Sequence, residues 1–171
     1  MQRSIYLIIC SVLPLLNSCI SDGSGGVENY VQVGDVIPEF VITDDNGERF
    51  DSSMLLGKKT VLMFFNTGCS DCEREMPVVE EAWRTLKSDP DITFATIARG
   101  QTAKDTYAYW QIHQLTLPKY HDPNATAFGL FANSYVPRLY IINRERVIHW
   151  MVIETFNMTA NELVEKVRAL N

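Results

Sequence analysis

The stretch Thr60-Val61-Leu62-Met63-Phe64-Phe65-Asn66-Thr67-Gly68-Cys69-Ser70-Asp71-Cys72 decides the fold. From Thr60 to Phe65 it is an apolar run of strand length, as expected of a strand buried on both faces. Asn66-Thr67-Gly68 then breaks the strand, and Cys69 opens a helical pattern. Met76, Val79, Trp83 and Leu86 fall on one stripe of that helix, and Glu80 and Arg84 form a supportive i,i+4 pair on it. Pro77 lies within the helix and is expected to kink it. A C-x-x-C pair thus sits where a buried strand hands over to a helix.

Working outward, Ile92 to Ala98 is a second buried strand. Thr102 caps the next helix, with Asp105 three residues on. Asp122-Pro123 reads as a cap followed by a first-turn proline, opening a short helix through Phe131. Leu139 to Asn143 and Val147 to Ile153 are strands around Arg144-Glu145, and Thr159-x-x-Glu162 is a capping box for a last helix reaching about Leu170. Upstream, Phe40 to Thr43 and Glu48 to Phe50 flank Asp45-Asn46-Gly47, a hairpin-turn signal. Alternating β and α units imply an α/β fold with a sheet covered by helices.

The chain has 171 residues, a net charge of −6 and a pI near 5.0. That balance argues against a nucleic-acid surface, which needs a basic stripe. Arg3, the apolar run Ile5 to Leu16 and the small residue Ser18 have the pattern of an export signal, too short to span a bilayer. Leu16-Asn17-Ser18-Cys19 resembles a bacterial lipobox, so residues 1–18 are expected to be removed and Cys19 to carry lipid. Secretory cleavage near Ser18 and an uncleaved anchor are the alternatives; each places the domain outside the cytoplasm. Residues 19–30, with Ser-Asp-Gly-Ser-Gly-Gly, read as a flexible tether, and residues 31–171 as one folded domain. A membrane-anchored lipoprotein of a bacterial cell envelope is the expected location.

Of the four cysteines, Cys10 lies in the signal and Cys19 at the anchor, which leaves Cys69 and Cys72. A two-residue spacer closes too small a ring to add much stability by loop entropy. In an oxidising compartment the pair therefore reads as a redox couple. Half of a zinc site has the same spacing. No second cysteine pair completes it, and His113, His121 and His149 have no ligand spacing. No metal and no cofactor beyond the cysteine pair are expected.

A thiolate is the attacking species, and a helix N-terminus favours it. Cys69, at that end, is assigned as nucleophile, and Cys72, three residues deeper, as the resolving thiol. Asp71 between them opposes the dipole with its own charge. Glu75, three residues after Cys72 on the same face, could shuttle the resolving proton or could belong to a solvated face with Glu73, Arg74, Glu80 and Glu81. Val136-Pro137 precedes a strand; sequence physics leaves open a cis bond or an edge proline.

From about Val33 to the C-terminus the sequence resembles the TlpA/ResA-type thioredoxin-like proteins. Gly34-Asp35-x-x-Pro38-x-Phe40, Asp44-Asp45-Asn46-Gly47 with Leu56-Gly57-Lys58, the segment Phe64 to Pro77, and Tyr135-Val136-Pro137 with Leu139 to Asn143 carry the likeness. It implies a thioredoxin-like fold: a central mixed sheet, helices on both faces and an N-terminal β-hairpin extension. It also implies a cis bond before Pro137, packed against the cysteines, with Val136 backbone groups aligning substrate, and Glu75 matching a buried acidic residue of ResA-like members. Such proteins are typically reductases of extracytoplasmic protein disulfides, fed by a membrane thiol-disulfide carrier. Two departures border the expected substrate surface: Gly68 where tryptophan is frequent, and Arg138 where threonine is.

Three other functions compete. A peroxiredoxin would carry threonine three residues before its nucleophile, where Asn66 stands, and proline seven before, where Leu62 stands. A copper-binding protein of this fold would use C-x-x-x-C. A structural lipoprotein would not need the intact pair.

Overall fold

The computed structural model describes residues 26–43 and 46–170. Cys10, Cys19, the signal, Asp44, Asp45 and the tether as far as Gly25 lie outside the described residues. A five-stranded mixed sheet has the order β5-β4-β3-β6-β7, with β3 (Lys59–Phe65) at its centre. Strands β4 (Ile92–Arg99) and β5 (Lys119–Asp122) run parallel to it; β6 (Arg138–Ile142) is antiparallel to β3, and β7 (Ile148–Ile153) to β6. A separate antiparallel pair, β1 (Val41–Thr43) and β2 (Arg49–Asp51), forms the N-terminal hairpin.

The apolar run of β3 splits by alternation between two cores. Val61, Met63 and Phe65 face α1 (Ser70–Leu86) and α3 (Ala160–Arg168), and Trp110 of α2 (Ala103–Ile112) joins the same cluster. Leu62 and Phe64 face the other way, onto Ile42 and Phe50 of the hairpin and onto two 3-10 turns, Ser52–Leu55 and Phe128–Leu130. Helix α1 places Met76, Val79, Ala82 and Leu86 on its buried stripe and runs through Pro77. Met76, Val79 and Leu86 each contribute about 1.5–3 kcal/mol on burial, which is why this stripe fixes the helix against the sheet. Both expected capping boxes are formed: Thr102 with Asp105, and Thr159 with Glu162.

The chain from Lys119 to Leu130 differs from the sequence expectation in two elements. No helix opens at Asp122-Pro123; Asp122 ends β5, and its carboxylate accepts from the backbone N–H groups of Thr126 (2.8 Å) and Phe128 (2.9 Å). The aspartate organises a turn, and only the short 3-10 segment at Phe128 follows. Strand β5 gives no apolar signal, because Lys-Tyr-His-Asp is polar, as an edge strand with one neighbour can be.

The topology positions the site. β3 and β4 are parallel, so their C-terminal ends share one edge of the sheet, where open α/β sheets bind their ligands. β6 runs the opposite way, with Arg138 opposite Phe64, so its N-terminal end reaches the same edge. The turn carrying Cys69 and the segment Val136-Pro137 therefore converge although 67 residues separate the contact between them.

Candidate active site

Asn66-Thr67-Gly68 turns the chain from β3 into α1. Asn66 Oδ1 accepts from the Gly68 N–H at 2.8 Å, and its Nδ2 donates to the Arg99 carbonyl at the end of β4. A Cβ at Gly68 would sit 3.3 Å from Asn66 Oδ1, so a side chain here would press on the Asn66 carboxamide that holds the turn. Thr67 is held by Gln101: its N–H donates to Oε1 at 2.9 Å, and its hydroxyl accepts from Nε2 at 2.7 Å.

Cys69 is the N-cap of α1, with extended backbone, and its sulfur accepts from the Cys72 N–H at 3.3 Å. An orphan donor of the first helical turn thus points at the sulfur. Cys69 is part-exposed, whereas Cys72 is fully buried; both are free thiols. Burial, reinforced by the hydrogen bond with Cys69, pushes the Cys72 thiol far above its ordinary range, against the opposing effect of the Asn66 N–H that points at it. Cys72 is therefore held as a protonated thiol behind an accessible one.

The Cys69 thiol lies 3.2 Å from the Val136 carbonyl, to which it can donate. The Val136–Pro137 peptide bond is cis. Val136 packs against both cores, which anchors this backbone beside the sulfur. The segment brings together Cys69, Cys72, Val136 and Pro137 from two distant parts of the chain.

Glu75 is buried at 6% exposure, one turn beyond Cys72 on α1. Its Oε1 accepts from Arg74 Nε at 2.9 Å, and Arg74 Nη1 reaches Asp71 at 2.6 Å. Arg74 also donates to Thr155 Oγ1 at 3.2 Å, in the loop after β7. Arg74 thus neutralises the acidic residue between the cysteines and ties the helix start to the loop after β7. The sequence offered Arg74 only as one more surface charge.

Tyr109 of α2 stands on the other flank. Burial first, then the neighbouring Glu73 carboxylate and the two sulfurs, push its phenol up to about 12. It stacks on His113 at 4.2 Å and lines, with Met76, Pro77 and Leu115, a groove of about 350 Å3 between α1 and α2. Arg138, by contrast, does not border the surface: it is fully buried and directed at the backbone preceding Pro137. Among the described residues, no group of three or more His, Cys, Asp or Glu side chains is placed to hold a metal ion.

Residues 33–151 match the AhpC/TSA family model. The thiol-disulfide oxidoreductase ResA of Bacillus cereus is 24% identical over 141 residues, covering 82% of this chain and 79% of the relative. The thioredoxin-like protein YneN of Bacillus subtilis is 26% identical over 137 residues, covering 80% of this chain and 79% of that one. Among solved structures, a candidate protein disulfide isomerase from Bacteroides thetaiotaomicron superposes with a TM-score of 0.77 at 26% identity, covering 84% of this chain and 92% of that chain. A secreted Mycobacterium tuberculosis disulfide oxidoreductase shares the fold, with a TM-score of 0.65 at 22% identity, covering 77% and 96%. The chain belongs to the AhpC/TSA family of thioredoxin-like proteins, and it is similar to thiol-disulfide oxidoreductases of the ResA type.

Proposed function

We propose that this protein reduces disulfides of extracytoplasmic proteins, with Cys69 as nucleophile, Cys72 as resolving thiol and Glu75 as the proton acceptor for the second step. The observation that carries the reading is the asymmetry of the pair: an accessible sulfur at a helix N-terminus with a buried thiol one turn behind it. The Cys69 thiolate attacks one sulfur of the substrate disulfide. A Cys69–substrate bond forms, and the other substrate sulfur leaves as a thiolate that takes up a proton. Cys72 then gives its proton to Glu75 and attacks the Cys69 sulfur. The Cys69–Cys72 disulfide forms and the second substrate sulfur leaves as a thiolate that takes up the proton held by Glu75, so two electrons pass to the substrate. Val136 supports the first step, because its carbonyl stands beside Cys69 and offers an extended substrate a backbone partner next to Pro137. No cofactor beyond the cysteine pair enters this scheme.

The reading includes an envelope location with Cys19 lipidated and the lipid membrane as anchor, and a membrane thiol-disulfide donor that regenerates the dithiol. The export-signal pattern at the N-terminus supports the location, and the net charge of −6 argues against a nucleic-acid surface, which needs a basic stripe. No described helix is long and apolar enough to cross a membrane. Peroxide reduction is the weaker alternative: the side chains of Asn66 and Thr67 beside the nucleophile are engaged by Gly68, Arg99 and Gln101.

Equilibration of the Cys69–Cys72 pair in glutathione buffers tests the direction of electron flow. A reductase predicts a potential near about −270 mV, and a value near about −120 mV would make the protein an oxidant.

A further inference from the structure

Arg138 has no role in the reaction just described, yet it is the largest fully buried side chain of the described residues. A buried guanidinium is costly unless its donors are met. Here they are met by the backbone immediately upstream. Nε donates to the carbonyls of Ser134 (3.0 Å) and Tyr135 (2.9 Å), and Nη2 donates again to Ser134 (2.6 Å). Nη1 donates to Asn29 Oδ1 at 2.5 Å.

These bonds run from a residue to the carbonyls three and four positions before it, so the side chain closes a ring over Val136 and Pro137. Tyr135, inside that ring, has φ of +60°, a conformation uncommon outside glycine that persists where its surroundings impose it. The next carbonyl along the chain, that of Val136, is the one facing the Cys69 sulfur. Asn29 belongs to the start of the folded chain, where Tyr30 N–H donates to the Phe131 carbonyl and Asn29 pairs with Ala132. Only a planar fork reaches two consecutive carbonyls and a side chain from another segment together; a lysine ammonium is a single point of charge.

We propose that Arg138 is a positioning residue that fixes the Val136 backbone for pairing with the substrate polypeptide, and that Asn29 completes the clamp from the N-terminal segment. The inference rests on the thiol-exchange reading of Cys69 and adds to it a determinant of polypeptide recognition. A loosened clamp leaves both sulfurs in place and misplaces the backbone that aligns the substrate.

The experiment is single-turnover reduction of a fluorogenic peptide disulfide by the pre-reduced full chain, over a range of peptide concentrations, for wild type, Arg138→Lys and Asn29→Ala. Arg138→Lys is expected to raise the half-saturating concentration about tenfold or more, while the limiting rate at saturation changes less than about twofold. Asn29→Ala, which removes one acceptor at an exposed position, is expected to raise it by about three- to tenfold. A merely structural role lowers the active fraction, and with it the limiting rate, at constant half-saturation; that pattern, or no change in either variant, overturns the proposal. If Arg138→Lys shows no cooperative unfolding transition, Asn29→Ala decides by the same criterion. Wild type inert toward both the peptide and the small aromatic disulfide DTNB overturns the thiol-exchange reading and this inference with it. Wild type active on both, with half-saturation unshifted in the variants, overturns the clamp alone.

Discussion

Replacing Glu80 by alanine should cost far more than its place on a helix surface suggests. From sequence, Glu80 is the acidic half of an i,i+4 pair with Arg84, worth about 0.3–0.5 kcal/mol. In the fold it is buried at 5% exposure and its carboxylate collects four donors. Arg84 Nε lies at 2.8 Å, Thr116 N–H at 2.9 Å, Thr116 Oγ1 at 2.6 Å and Leu117 N–H at 3.0 Å. The last three belong to the segment leading into β5, so Glu80 fastens α1 to the edge of the sheet. Removing the carboxylate leaves the buried Leu117 N–H unmet, at about 1–3 kcal/mol, while the exposed Thr116 donors turn to water at about 0.5–1 kcal/mol each, so Glu80→Ala should lose about 2–4 kcal/mol near neutral pH. For a chain of this size that corresponds to roughly 10 °C in Tm. Arg84, half-exposed on its side of the pair, should cost under about 1 kcal/mol when replaced by alanine. The pH dependence has a fixed sign. Burial alone would raise the Glu80 carboxyl, but the hydrogen bonds from Thr116, Leu117 and Arg84 hold it below its ordinary 4.5. A depressed folded-state pKa stabilises the fold above 4.5, and the contribution is lost as pH falls through the lower folded value. Urea unfolding of wild type, Glu80→Ala and Arg84→Ala at several pH values is the assay. The deficit of Glu80→Ala should shrink below pH 4.5. A neutral-pH deficit below about 1 kcal/mol, or one matched by Arg84→Ala, would refute the assignment of its stability to the donors of Thr116 and Leu117.

Iodoacetamide should alkylate Cys69 in the folded, reduced protein and reach Cys72 only on unfolding, as peptide mapping by mass spectrometry would reveal; equal labelling would contradict the burial asymmetry. Glu75→Gln should slow release of the mixed disulfide by about 10- to 100-fold while the initial attack by Cys69 is little changed, measured by stopped-flow with a fluorogenic disulfide. Equal slowing of both steps would remove Glu75 from the proton path. Thr159→Ala, which breaks the capping box of α3, should lower stability by about 1 kcal/mol in urea unfolding. An unchanged midpoint would mean that packing of Leu163, Val164 and Val167 alone holds the helix.

The parts of the fold that follow from local chemistry were legible in the sequence. The β3-to-α1 hand-over is written in an apolar run followed by Asn-Thr-Gly, and both capping boxes in their Thr-x-x-acid spacing. Strand β5 was hidden because its residues serve local and lateral bonds: His121 shares a hydrogen bond with Thr106, and Asp122 organises the turn after it. The Asp-Pro pair therefore looked like a helix start when it was a strand end. The cysteines and Val136-Pro137 could be named from sequence, but only the antiparallel return of β6 brings them together. Arg138, Glu80 and Arg74 were illegible for one reason: a charged side chain reads as surface until the carbonyls, N–H groups or carboxylates that meet it, from segments far away in sequence, are placed. The Arg138 clamp spans 109 residues to Asn29, and the Glu80 cradle spans 36 to Thr116.

The central claim is that one accessible sulfur captures substrate and a buried one releases it. Intact-mass analysis of Cys72→Ser after exposure to a peptide disulfide tests it most directly. The account predicts a stable adduct of one peptide, mapped to Cys69 and removed by dithiothreitol, with none persisting on wild type. An adduct formed equally well by Cys69→Ser through Cys72, or no adduct on either variant, would contradict it.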